Sequence, residues 1–258
     1  MSKFRLEEKT VIVTGGAGGL GESMAKVCAE AGANVVVASR NKENIDRVAE
    51  EITGNGQTAI ALPVDITNAG QLDDMIAQSV EAFGSVDVIV NSAVLWGKSH
   101  LAEANPLEEW QQVIDLNLTG CFLSCVAAGK QMIKQNHGKI INISSTAGSK
   151  GNPGQLHYSA AKAGVLSLTN NLAFMWAKHN INVNCILPGL IATEELKGYN
   201  IIPPSVDDDG VAVPRLELPP NPDDVANLVL FLASAEADGI TGELIPIRTW
   251  LKTERFWQ

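Results

Sequence analysis

The sequence has no run of lysine and arginine, no long unbroken apolar stretch, few cysteines and few aromatics. Each shortage excludes something. Its 258 residues carry 19 Lys and Arg against 29 Asp and Glu, a formal net charge of −10. Such a surface repels a phosphate-rich polymer, so no nucleic-acid partner is expected. The longest apolar stretches are about strand length or are broken by Asn and Lys, and no membrane span is expected. Residues 1–9 alternate charged with apolar side chains and lack the apolar centre of a signal peptide. Cys28, Cys121, Cys125 and Cys185 show neither zinc-ligand spacing nor the density of a disulfide scaffold, so no metal is expected. Cys121 and Cys125 stand one helical turn apart and read as small buried core residues. No linker, internal repeat or low-complexity tract interrupts the chain. It reads as a cytoplasmic protein.

Apolar residues are plentiful, 45% of the chain, and their period switches again and again. Short apolar runs at 10–13, 34–38, 58–64, 86–90, 139–144, 181–187 and 243–247 have the pattern of buried strands. Between them lie helical stretches. In residues 42–53, Ile45, Val48, Ala49 and Ile52 recur at helical spacing, with Gly54 as the expected stop. Leu72, Met75, Ile76, Ser79, Val80 and Phe83 make another stripe, with Thr67 as its expected cap and Gly84 at its end. Residues 20–31, 107–134 (irregular near Asn117) and 158–179 are also expected to be helical. Asn221-Pro222-Asp223-Asp224 has a cap, a first-turn proline and two acids, a strong helix start. Strands alternating with long helices imply an α/β doubly wound parallel sheet, a Rossmann fold of about seven strands with helices on both faces. One domain, 1–258, is expected, with its ligand beyond the carboxyl ends of the strands where strand order reverses.

Candidate ligand-binding residues fall at those ends. Thr14-Gly15-Gly16-Ala17-Gly18-Gly19-Leu20-Gly21 joins the first strand to the first helix. Glycines permit a tight turn and the close approach of a pyrophosphate, and the helix N-terminus supplies positive potential. No Gly-Lys-Ser/Thr follows, which excludes an NTPase phosphate loop. The second strand ends in Ser39-Arg40-Asn41, without the acid that would hold the 2′-hydroxyl of NAD. Arg40 can instead clamp a 2′-phosphate, so NADP(H) is favoured over NAD(H).

Ser145 ends a strand. Tyr158 opens a helix thirteen residues later, and Lys162 shares its face one turn on. A neighbouring ammonium favours the phenolate of a tyrosine. Ser145 can hydrogen-bond a substrate oxygen where charge develops. Strand alternation puts Ser144 and Ser145 on opposite faces, so only one of the two can reach the site.

At this point the sequence resembles the short-chain dehydrogenase/reductase family. Thr14, Gly15, Gly19 and Gly21 match the family's Thr-Gly-x3-Gly-x-Gly, and Tyr158-Ser159-Ala160-Ala161-Lys162 matches its Tyr-x3-Lys. Ser145 and Asn117 stand at the family's spacing. Asp65-Ile66 matches the pair that contacts adenine, and Pro188-Gly189-Leu190-Ile191-Ala192-Thr193 the segment that holds the nicotinamide carboxamide. The resemblance implies Tyr158 as acid/base, Lys162 on the nicotinamide ribose, Ser145 orienting the substrate oxygen, and Asn117 holding a water that links Lys162 to solvent. It also implies a homo-oligomer, a tetramer or a dimer.

Three departures stand out. Asn91-Ser92-Ala93-Val94 replaces Asn-Asn-Ala-Gly, with Asn91 and Ala93 kept for the sheet and the cofactor. Ile247-Arg248-Thr249-Trp250 replaces Val-Asp-Gly-Gly, and the tail that follows holds Phe256 and Trp257. Residues 194–220, with Asp207-Asp208-Asp209-Gly210 and five prolines, read as a loop-rich substrate flap.

Leu95, Trp96, Asn152, Gln155, Leu156, Leu190, Leu196 and Tyr199 are the candidate substrate residues. This mostly apolar set suits a small-molecule ketone, aldehyde or alcohol, reduced or oxidised by hydride transfer. A 3-oxoacyl thioester of lipid synthesis is the alternative and calls for a basic docking patch. A non-catalytic NADP(H)-binding sensor or scaffold is the reading from another class.

Overall fold

The computed structural model of the chain describes residues 4–194, 196, 205–206 and 210–249. Seven strands form one parallel sheet in the order β3-β2-β1-β4-β5-β6-β7. They are β1 (Thr10–Thr14), β2 (Asn34–Ser39), β3 (Thr58–Pro63), β4 (Val88–Asn91), β5 (Gly138–Ile143), β6 (Ile181–Pro188) and β7 (Leu244–Ile247). Chain order runs one way from β1 to β3 and the other from β4 to β7. The reversal places a crevice between the carboxyl ends of β1 and β4.

Side-chain alternation divides the core into two layers. Val11, Val13, Val35 and Val37 face α1 (Gly19–Glu30), α2 (Lys42–Gly54) and a last helix at Pro222–Ala233. Ile12, Val36 and Ile89 face the opposite layer. That layer comprises α3 (Ala69–Phe83), α4 (Leu107–Ile114) continued through a π-helical turn (Asp115–Gly120) into α5 (Cys121–Gln135), and α7 (Leu156–Trp176). A five-residue helix, α6 (Thr146–Lys150), precedes α7, and the Pro222–Ala233 helix is α8. The span Leu107–Gln135 is long and apolar enough to cross a membrane by length and composition. Half of its apolar window is buried, with α5 packed on α3 and β5.

Several boundaries differ from those expected. Asn68 caps α3 by accepting from the Gln71 N–H; Thr67 is taken up by Asp65, which accepts from both its N–H and its hydroxyl. Gly54 lies inside α2, and the turn away comes at Asn55 and at Gly56, which has φ 82°. α7 starts two residues before Tyr158, and its last turn tightens to a 3-10 turn at Ala177–His179. The Asn221 cap of α8 is as expected, and Asp224 completes a capping box. All four cysteines are buried and free.

A polar seam crosses the second layer. Asn91 on β4 donates to Asn142 Oδ1 on β5 at 2.9 Å, and Asn142 donates to Thr169 Oγ1 on α7 at 3.0 Å. Ser124 of α5 donates to Asn91 Oδ1 at 2.6 Å. Every member is buried and bonded, the condition under which polar groups are tolerated in a core.

Of the expected flap, residues 194, 196, 205–206 and 210–220 are described. Val206 and Ala212 form an isolated antiparallel bridge, and Arg215–Glu217 make a 3-10 turn. Tyr199, Asp207, Asp208, Asp209, Trp250, Phe256 and Trp257 lie outside the described residues.

Candidate active site

The crevice is built from the turn after β1 and the run after β4. Gly15 has φ 71°, and a Cβ there would come within 2.7 Å of Ala93 Cα and Ala93 N. Gly21 is as tightly required, since its Cβ would lie 2.1 Å from the Gly15 carbonyl oxygen. Thr14 Oγ1 donates to the Val90 carbonyl and accepts from the Ser92 N–H, each at 3.3 Å, fastening the two loops together. The region of Gly18 and Gly19 is the opposite, with nothing within 4 Å of either missing Cβ. α1 starts here without a side-chain cap, so its first N–H groups have no side-chain acceptor. A pyrophosphate fits that cradle. Ala17 and Leu20 pack on the core beside it.

Beyond β2, Arg40 is exposed, Ser39 is half-buried, and the Asn41 side chain caps α2 by accepting from the Asn44 N–H. Two Thr67 donors hold the Asp65 carboxyl below its usual range, with a further push from the Arg40 charge. Ile66 turns its side chain inward onto Gly120, which leaves its backbone for a ligand. The Asn91 side chain is likewise engaged in the polar seam, donating to Asn142 and accepting from Ser124. Ile191 is buried in the core. Pro188 ends β6, the Gly189 N–H donates to the Ile247 carbonyl, and Thr193 Oγ1 accepts from the Leu196 N–H. Val94 takes no positive φ, so a valine stands there without backbone strain.

The candidate catalytic residues converge at the same end of the sheet. Ser145 lies just past β5 as the cap of α6, its Oγ accepting from the Ala147 N–H. Ser144 points away and donates to the Lys162 carbonyl. Lys162 is buried, donates through Nζ to the Ile143 carbonyl at 2.9 Å, and lies 5.7 Å from the Tyr158 ring centroid. Burial lowers its pKa. Burial raises that of Tyr158 strongly, against a smaller opposing effect of a hydrogen bond with the Ser145 hydroxyl. Tyr158 is therefore a neutral phenol across the neutral range, a group able to donate a proton.

Asn117 sits in the π-helical turn, where its side chain replaces missing helix partners. It donates to the Val113 and Leu95 carbonyls and accepts from the Leu95 N–H. A cavity of ≈ 10 Å³ lies between Asn117, Lys162, Thr14, Cys121 and Ile143. That is room for about one water, bordered by enough polar groups to hold it.

Trp96 stacks on the Tyr158 ring with centroids 4.6 Å apart and planes at 30°. The indole is 51% exposed while Tyr158 is 2% exposed, so the tryptophan forms a cover. Asn152 donates to Gln155 Oε1, Leu156 faces solvent, and Leu190 and Leu196 are half-buried. A groove of ≈ 610 Å³ opens on the α4 side of the 94–98 segment, lined by Leu95, Trp96, Lys98, Glu108, Glu109 and Gln112 among others. Tyr158 does not line it. Two residues that the sequence did not single out adjoin the site: Glu109, which reads as an ordinary first-turn acid, and His157, which carries no motif.

Residues 9–200 match the model of the short chain dehydrogenase family. The chain belongs to that family. It is a short-chain dehydrogenase oxidoreductase. Among its relatives is a 3-oxoacyl-[acyl-carrier-protein] reductase of Synechocystis sp., 40% identical over 92% of this chain and 94% of that one. The 3-oxoacyl-[acyl-carrier-protein] reductase FabG of Thermotoga maritima is 35% identical over 95% and 98%. Among solved structures, gox2181 superposes with TM-score 0.87 at 33% identity, covering 95% and 96% of the two chains. An NAD+-bound xylitol dehydrogenase does so with TM-score 0.86 at 27% identity, covering 96% and 99%.

Proposed function

We propose that this short-chain dehydrogenase uses NADPH to reduce the 3-oxo group of an acyl thioester to the 3-hydroxyacyl thioester. The observation that carries the chemistry is Tyr158, buried beside Ser145, its phenol pushed toward the protonated form by burial. Kinship with two 3-oxoacyl-[acyl-carrier-protein] reductases supports the substrate class. Arg40 supports NADPH, as a cation at the end of β2 where an acid would repel a 2′-phosphate.

When bound, NADPH supplies the hydride that goes to the 3-carbon. The Ser145 hydroxyl orients the carbonyl oxygen and stabilises the charge developing there. Tyr158 gives that oxygen its phenolic proton, and the Lys162 ammonium favours the phenolate that is left. The water-sized cavity between Lys162 and Asn117 offers the path for a replacement proton.

The net charge of −10 favours a second reading, in which the substrate is a small uncharged ketone or, in reverse, an alcohol. Following NADPH absorbance with acetoacetyl-CoA and a panel of small ketones separates the two. A kcat/KM for the thioester at least about tenfold above every ketone, a gap of some 1.4 kcal/mol, supports the first reading. The opposite ranking supports the second. Tight NADPH binding without turnover of any carbonyl overturns both in favour of a non-catalytic binding protein.

A further inference from the structure

The segment that carries Trp96 has no regular structure, yet its position is set at several points. Asn117 holds Leu95 through both backbone groups, and the His100 N–H donates to the Gly154 carbonyl at 2.8 Å. Two further ties run to one carboxylate, Glu109, in the first turn of α4. Its Oε1 accepts from the Lys98 N–H, and its Oε2 lies 2.8 Å from His100 Nε2.

Glu109 also faces α7. Its Oε1 is 3.8 Å from Nε2 of His157, the residue before Tyr158. His157 is wholly buried, and its Nδ1 accepts from the Tyr158 N–H at 2.8 Å. With Nδ1 accepting, the neutral ring carries its proton on Nε2. That atom has no hydrogen-bond partner. Gly97 lies directly on the ring at φ 68°, where a Cβ would come within 2.6 Å of Nε2. The neighbour of Trp96, the neighbour of Tyr158 and one carboxylate thus meet at a single point.

We propose that Glu109 is a positioning residue, clamping segment 97–100 against His157 and so holding Trp96 stacked on the acid/base Tyr158. The proposal rests on the reading of Tyr158 given above. Removing the carboxylate frees the N–H of the exposed Lys98 and the ring of the half-buried His100, both within reach of water that can replace the lost bonds. The expected damage therefore falls on geometry at Tyr158, with little effect on the fold. Glu108 lines the same groove and its side chain makes no hydrogen bond or ion pair among the described residues, which makes it the natural control.

The test compares Glu109→Ala, Glu109→Gln and Glu108→Ala with the starting protein. Its readouts are kcat, NADPH affinity, Tm and the near-ultraviolet dichroism of Trp96, isolated by subtracting the matching Trp96→Phe proteins. Displacing a reacting group by about 1 Å can cost roughly a hundredfold, so Glu109→Ala is expected to lower kcat at least about tenfold. It should also lose the Trp96–Tyr158 signal while keeping NADPH affinity within about twofold and Tm within about 3 °C. Glu109→Gln, which keeps an acceptor for Lys98, should recover part of both, and Glu108→Ala should change neither. An unchanged dichroism signal, an unchanged kcat, or a joint fall of kcat, NADPH affinity and Tm would overturn the proposal. If Glu109→Ala does not fold, Glu109→Gln is judged by the same criteria. If the starting protein turns over no carbonyl, the reading of Tyr158 fails, and the dichroism alone decides whether Glu109 holds the indole.

Discussion

At the scale of single residues, the site is a set of groups whose ordinary chemistry is altered by burial. Tyr158→Phe keeps the ring under Trp96 and removes only the proton. General acid catalysis is worth roughly 10²- to 10⁴-fold, and reductase turnover should fall by that amount with NADPH affinity within a few-fold. Because burial raises the Tyr158 pKa above its ordinary 10.0, the acid form persists through alkaline solution. A kcat/KM profile for reduction should therefore show no alkaline decline below pH 10, and a decline near neutrality would assign the proton to another group. At the cofactor end, Arg40→Asp puts a negative charge beside the 2′-phosphate. The ratio of kcat/KM for NADPH over NADH should fall at least about tenfold, and an unchanged ratio would mean that Arg40 does not touch the cofactor.

At the scale of elements, β4 is registered against β1 by one buried acid. Asp87 accepts from the Thr10 N–H at 3.0 Å, the Ser85 hydroxyl at 2.6 Å and Lys9 Nζ at 3.1 Å. Burial alone would raise its pKa, but these donors together hold it below the ordinary 3.8. Its contribution to stability is thus complete above that value and is lost as pH falls through the lower folded-state value. Asp87→Asn should cost about 2 kcal/mol at neutral pH, lowering Tm by roughly 4–8 °C. The deficit should narrow on acidification; a deficit that does not depend on pH would point to packing rather than charge. The elements themselves were legible in the sequence, because their apolar patterns are strong: Val11, Ile12 and Val13 are a β-branched run closed by glycines, the mark of a buried strand. So was the joining of the glycine turn, Ser145, Tyr158 and Lys162, since spacing on one helix and position at strand ends follow from local geometry. Asn68 taking the cap of α3 was not, because Asp65 claims Thr67 in a local turn that competes with the helix cap. Nor were α6 and Glu109. A five-residue helix has no period to read, and an acid in a first helical turn looks the same whether it faces water or a histidine from another helix.

For the whole molecule, the excess of ten negative charges sets the terms on which any anionic substrate arrives. Screening shortens the reach of that field to roughly 10 Å at 0.1 M salt and roughly 3 Å at 1 M. The kcat/KM for a phosphate-bearing CoA thioester should thus rise by roughly two- to fivefold between low and moderate salt. A neutral thioester with the same acyl group should not respond. A response equal in both would place the salt effect on the protein or on NADPH.

The seam of Asn91, Asn142 and Thr169 has a further consequence, for how the sheet avoids assembling incorrectly. β4 and β5 pair Ile89 with Ile140, Val90 with Ile141 and Asn91 with Asn142. Sliding β4 by two residues preserves the inward and outward sense of every side chain, so hydrophobicity alone cannot tell the misaligned sheet from the correct one. The amides can, because the slipped arrangement sets Asn91 beside Ile140 and strands a buried carboxamide at a cost of about 1–3 kcal/mol. The seam acts as a proofreading mark in the middle of the sheet, rejecting a slip that a greasy interior would otherwise accept.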